Sequence, residues 1–169
     1  MDAIIIRPMA EYARQVPHIA VWFYTEWGAI YGKQTQAEVQ RRIESWLTVG
    51  EIPTAFVAVA GDRVIGTVAL KEHEMPEFPE TPWLAGLFVV PQLRGRGIGT
   101  VLVEAGEREA LSLGVQQLFL YTPEAHQFYS RLGWLVMERR LLASGPVYVM
   151  SKLLTAAGLP CGGPEASTS

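Results

Sequence analysis

At 169 residues, with 49% apolar and 18% charged residues, the chain is long enough for one domain with a sizeable core and too apolar to be disordered. A net charge of −3, with no basic block beyond Arg94/Arg96 and Arg139-Arg140, argues against a nucleic-acid partner. No apolar run reaches bilayer length, the start Met1-Asp2-Ala3-Ile4 lacks a signal-peptide layout, and no His/Cys cluster has zinc spacing, so neither membrane nor metal is expected. The one cysteine, Cys161, cannot close an internal disulfide and suits a reducing cytoplasm.

Ile4-Ile5-Ile6-Arg7-Pro8 reads as a short first strand ended by proline. From Met9 to Ile30 the apolar positions Tyr12, Val16, Ile19, Ala20, Phe23, Trp27 and Ile30 recur mainly at helical steps, which predicts a helix or a kinked pair whose second part Pro17 is suited to begin. Trp22, Phe23, Tyr24, Trp27 and Tyr31 supply more large rings than one buried face needs, leaving two uses open, core and pocket wall. Gln34 to Val49 reads as a second helix, with Thr35 and Glu38 at capping-box spacing. Ile52–Ala60 and Arg63–Lys71 are β-rich runs joined by Gly61-Asp62, hence a hairpin. The segment Lys71 to Pro82 is irregular, since three prolines interrupt it, and it concentrates Glu72, His73, Glu74, Glu77 and Glu80 ahead of the next strand.

That strand is the apolar run Trp83 to Val90, stopped by Pro91. Behind it come Arg94, Gly95, Arg96, Gly97, Ile98, Gly99 and Thr100, then apolar residues at helical spacing up to Gly114. A strand thus feeds a helix through a glycine-rich, basic loop. The first turn of a helix presents unpaired N–H groups and the positive end of the dipole. Glycines let an anion approach those donors, and arginine forks add charge suited to phosphate oxygens, so the expected ligand is a pyrophosphate. Gly95-x-Gly97-x-Gly99 has neither the dinucleotide spacing nor the Gly-Lys-Ser/Thr of a P-loop. Beyond the helix, Gln117–Tyr121 is a strand, Pro123 opens a short helix over Glu124–Leu132, and Trp134–Leu142 and Pro146–Leu153 form a closing hairpin. Residues 156–169, rich in Gly, Pro, Ser and Ala, are expected to be a mobile tail behind a single domain spanning residues 1–155. The order β-α-α-β-β-β-α-β-α-β-β implies a mixed sheet with helices on both faces, an α/β fold of the α+β kind.

Arg94-x-x-Gly97-x-Gly99 matches the acyl-CoA-binding signature Gln/Arg-x-x-Gly-x-Gly/Ala, and Phe128-Tyr129-Ser130-Arg131-Leu132-Gly133-Trp134 matches a second motif, Phe/Tyr-Tyr-x-x-x-Gly-Phe/Trp. With these in their strand and helix context, the chain resembles the GNAT (Gcn5-related N-acetyltransferase) superfamily over residues 4–154. The resemblance implies a mostly antiparallel sheet, acetyl-CoA as co-substrate, and transfer of the acetyl group to a primary amine of a small molecule or peptide by direct attack in a ternary complex. It implies backbone contacts from Leu87, Phe88 and Val89 to the pantetheine arm, a pyrophosphate on the amides of Arg96 to Thr100, and a proton donated by Tyr129 to the departing thiolate. Many family members carry an acid on the cofactor strand; Leu84-Ala85-Gly86-Leu87 carries none. Glu72, His73 and Glu74 are therefore the candidate bases, with Glu72 and Glu74 on one side if the strand runs that far, and Glu26 is another. Glu26, Trp27, Tyr31 and Trp83 are the expected acceptor contacts. Thr122 replaces the asparagine common before the tyrosine helix. Dimers are common among such domains, and the final hairpin is a candidate surface for a homodimer. The missing acid leaves a second reading, a non-catalytic acyl-CoA-binding module.

Overall fold

A computed structural model describes residues 2–28, 32 and 34–156. Tyr31, Ile30, Cys161 and the tail beyond residue 156 lie outside them. The chain runs β1 (Ile4–Pro8), α1 (Val16–Trp27), α2 (Gln36–Glu44), β2 (Thr54–Ala60), β3 (Arg63–Lys71), β4 (Trp83–Val89), α3 (Ile98–Ser112), β5 (Gln117–Thr122), α4 (His126–Arg131), β6 (Leu135–Leu142) and β7 (Gly145–Leu153). The order is the one read from the sequence. The segment after β1 is a kinked pair, a 3-10 helix over Met9–Gln15 followed by α1 with Pro17 in its first turn. Thr35 and Glu38 close the expected capping box: Glu38 N–H donates to Thr35 Oγ1 at 3.2 Å and Thr35 N–H to Glu38 Oε2 at 2.7 Å. The helix stops at Glu44, short of the expected Val49, because Ser45 takes the C-cap and the chain turns to bury Trp46.

The seven strands form one sheet in the order β1-β2-β3-β4-β5-β7-β6. Every neighbouring pair is antiparallel except β4 and β5. These two meet at Trp83 and Phe119, with Phe119 N–H donating to Pro82 O at 3.1 Å. Past that point they part, and their diverging ends wall a cavity. A bulge in β4 accompanies the divergence: Thr67 pairs with Phe88 and Ala69 with Ala85, so Gly86 and Leu87 share one residue of β3. Gly86 takes φ +60°, and its carbonyl accepts from Thr67 Oγ1 at 2.7 Å.

Alternation along the strands divides the core between the two faces of the sheet. Val68, Leu70, Leu84, Leu118, Leu120 and Met150 pack against Ile98, Leu102 and Val103 of α3 and Tyr129 of α4. Close packing here is dictated by Gly106, where a Cβ would lie 2.7 Å from Leu84 Cδ1. On the other face Val57, Val59, Val64 and Phe88 meet Ile19, Phe23, Val39 and Ile43 of the first two helices. The irregular segment before β4 covers the rest of that face by seating Phe78 on Trp83. A polar junction ties α3 to β7 and to the turn before β6. Glu107 accepts from Lys152 Nζ at 3.0 and 3.1 Å and from Trp134 Nε1 at 2.9 Å, while Lys152 also donates to Leu132 O at 2.7 Å.

Candidate active site

The cavity between β4 and β5 has a volume of about 480 Å³. Its walls are β4 from Leu84 to Val89, the loop and first turn of α3, the end of β5 with Pro123 and Ala125, and Phe128 and Tyr129 of α4. Glu26, Trp27 and Glu74 close it from the side of α1 and the acidic segment.

The loop is built so that main chain faces the cavity. Gly95 and Gly97 hold φ +77° and +83°, a left-handed conformation that residues with a Cβ rarely adopt, and nothing lies within 4 Å of where a Cβ would stand. Gly97 is the N-cap of α3 and makes no side-chain cap bond; the first bond of the helix runs from Val101 N–H to Gly97 O at 3.2 Å. The N–H groups of Ile98, Gly99 and Thr100 therefore precede the helical ladder, at the positive end of the dipole. At Gly99 a Cβ would already stand 3.4 Å from Phe128 Cζ. This donor set and this open space fit a diphosphate. Arg94 and Arg96 differ from the sequence reading in placement. Arg96 is not among the residues lining the cavity. Arg94 lines it but folds back: its Nε–H donates to Val89 O at 2.8 Å, its guanidinium lies 5.3 Å from the centre of the Phe88 ring, and Nη2 is 3.6 Å from Glu26 Oε1.

Tyr129 is 8% exposed, packed edge-on against Phe128 and Trp134. Burial pushes its phenol well above the usual tyrosine range, so the hydroxyl keeps its proton across the working pH range. Thr122 fills the place of the absent asparagine by accepting from Ala125 N–H at 3.0 Å, which closes the turn into α4.

On the acceptor side the sequence reading needs two corrections. Strand β3 ends at Lys71, so alternation does not carry through the acidic run and Glu72 and Glu74 form no pair. Glu72 and His73 are exposed and do not line the cavity. Glu74 does line it; its side chain is 1% exposed and accepts from Lys71 Nζ at 3.0 and 3.2 Å. Trp83 is fully buried between Phe78 and Phe119, with its indole N–H on Glu80 O, and so offers no surface to a substrate. Glu80 in turn accepts from Arg140, which also lies over Phe78 and clasps the segment to β6. That guanidinium holds the Glu80 carboxyl below the usual carboxylate range. The aromatic cluster of α1 divides: Phe23 is core, whereas Trp27 packs edge-on to Phe23 and Phe88 and lines the cavity. Leu120, Tyr121 and Thr122 of β5 also line it and were missed from sequence. The signal for them was the parallel pairing of two strands that part at a glycine bulge.

Residues 16–134 match the Acetyltransferase (GNAT) family. The chain belongs to that family. Among curated GNAT relatives, mycothiol acetyltransferase of Rhodococcus jostii is 30% identical over 116 residues, 64% of this chain and 37% of that protein. N-alpha-acetyltransferase 30 of Schizosaccharomyces pombe is 34% identical over 89 residues, 50% of this chain and 59% of that protein. The chain thus spans between about a third and three fifths of the length of these relatives. The fold is that of solved GNAT structures. An aminoglycoside 6'-acetyltransferase type Ii superposes with a TM-score of 0.71 at 22% identity, covering 89% of this chain and 97% of that one. The Salmonella typhimurium protein yncA, solved with its cofactor acetyl-CoA, superposes with a TM-score of 0.69 at 16% identity, covering 96% of this chain and all of that one. No helix among the described residues is long and apolar enough to cross a membrane.

Proposed function

We propose that the chain is an acetyl-CoA-dependent N-acetyltransferase that acetylates a primary amine of a small molecule or peptide by direct attack in a ternary complex. The observation that supports this most is a single cavity shared by the glycine loop at the start of α3 and by Tyr129. Ile98, Gly99, Thr100 and the flanking glycines hold the diphosphate, and the backbone of Leu87, Phe88 and Val89 receives the pantetheine arm along the unpaired end of β4. Acetyl-CoA, when bound, supplies the acetyl group as a thioester.

Tyr129 then has a defined task. Burial makes it a weaker acid than a free tyrosine, so its proton stays on the hydroxyl until negative charge develops on the sulfur, and is handed over as the C–S bond breaks. Glu74 lines the same cavity as Trp27 and Glu26, with its carboxylate held by Lys71. By position it is the carboxylate that attracts the ammonium form of the acceptor and takes up its proton, directly or through water. The demand on it depends on the amine. Deprotonating an alkyl ammonium at pH 7 costs about 4.6 kcal/mol, an α-amino group about 1 kcal/mol.

The test is release of free thiol from acetyl-CoA in the presence of a broad amine panel. Turnover with at least one amine supports the enzyme; tight CoA binding with no thiol released from any amine would instead support the non-catalytic module. Tyr129→Phe is expected to lower kcat by about 10²–10⁴-fold with acetyl-CoA affinity nearly intact, because the ring keeps its packing and only the donor is lost. Full activity in that variant, with chemistry rate-limiting, reduces Tyr129 to a packing residue.

A further inference from the structure

Arg94 stands at the seam between the phosphate loop and α1. The bond from Nε–H to Val89 O fixes the root of the guanidinium, and its outer edge is turned toward Glu26 across the face of Phe88. Arg94 and Glu26 are 46% and 41% exposed, and both line the cavity together with Gly95, Gly97 and Thr100. A guanidinium offers its donors in one rigid plane. With Nε committed to Val89, the two Nη groups remain as donors, and a two-point fork on one anion draws that edge away from another. The Glu26 carboxylate and a diphosphate held by the glycine loop are two anions within reach of that one edge.

On the cofactor reading above, we propose that Glu26 is a positioning residue that competes with the cofactor diphosphate for Arg94, so that a carboxylate on α1 sets how tightly the loop holds its anion. The Val89 bond is the pivot. When the outer edge turns to the diphosphate, the Glu26 carboxylate and the Phe88 face are left to a cationic acceptor on the α1 side. Motif matching assigns Arg94 to phosphate alone; the geometry gives it two claimants.

The experiment is a double-mutant cycle on CoA affinity, measured by calorimetry with the full chain and CoA as the only ligand. Glu26 lies on the exposed side of a helix, and the signature itself admits glutamine at position 94, so Glu26→Gln and Arg94→Gln both preserve the fold; melting curves verify this. Glu26→Gln should tighten CoA binding by about two- to fivefold, the range that an exposed ion pair can carry, and the gain should fade at high salt. Arg94→Gln should weaken CoA binding, and in that background Glu26→Gln should bring no gain. A gain that persists undiminished without Arg94 marks a general field on the phosphates and overturns the proposal. So does no gain in Glu26→Gln alone. If CoA binds none of the four proteins, the cofactor reading itself falls; if it binds and the cycle is flat, only this inference does.

Discussion

At the end of the cleft proposed for the cofactor, the lining includes a loop of glycines and the first-turn amides of α3, which precede the helical ladder, whereas at the end proposed for the acceptor it includes Glu26, Trp27 and Glu74. A main-chain site is specified by what is missing, the Cβ atoms that would fill it, and so leaves glycines at fixed offsets. A side-chain site is specified by which segments happen to meet, and leaves no spacing at all. The two ends should therefore fail in opposite ways, one when atoms are added and the other when they are removed.

The largest effect is expected where the acceptor end is anchored. Trp83→Ala removes a fully buried indole from under Phe78 and should cost about 3–5 kcal/mol of stability in urea unfolding. If stability holds and the amine KM rises instead, Trp83 belongs to the acceptor site after all. At the cofactor end, Gly97→Val must force a β-branched residue to φ +83°, and Gly99→Val drives methyl groups into Phe128. Each should weaken CoA by about 100-fold, equivalent to two charge-assisted hydrogen bonds at about 1.5 kcal/mol each, with the domain still folded. Unchanged calorimetric affinity in both variants would remove the diphosphate from this loop.

Glu74→Gln should lower kcat/KM for an alkyl amine by about 30-fold at pH 7, less than a fully committed general base because Lys71 shares the carboxylate. The penalty should shrink along a series of amines of falling pKa, since less proton removal is required, while CoA affinity stays constant. Glu72→Gln and His73→Gln, both exposed, serve as the contrast and should change kcat/KM less than about twofold. Equal penalties at all three positions would restore the acidic run as one functional unit.

The same division explains what could be read in advance. The element order, the β2–β3 hairpin and the start of α3 follow from turn residues and apolar spacing, which act locally. Tyr129 and the glycines, which line one cavity, stand out in the sequence because their motifs are contiguous. Trp83 was not: an uninterrupted apolar strand gives no indication of which face a given ring takes, and here the irregular segment lies over it. The grouping of Glu72 with Glu74 assumed three more residues of strand, but β3 stops at Lys71, and Glu74 lines the cavity with its carboxylate held by the lysine three residues before it. Arg94 shows the limit from the other side. The residue stands out by its motif, yet its partners, Val89 O and Glu26, come from a strand end and a distant helix that no local pattern connects.

The Glu107 junction gives the cleft a fixed gauge. Glu107 belongs to the helix whose first turn is the proposed anion cradle, and through Lys152 and Trp134 it grips the residues that follow Tyr129, including the carbonyl of Leu132. Cradle and phenol are thus two marks on one ruler, joined by α3 and β7 rather than by the side chains of Glu26, Trp27 and Glu74. On the reading proposed here, an acyl carrier is accepted when its own length spans those marks. Truncated thioesters that lack the diphosphate would lie against the same tyrosine with nothing to register them.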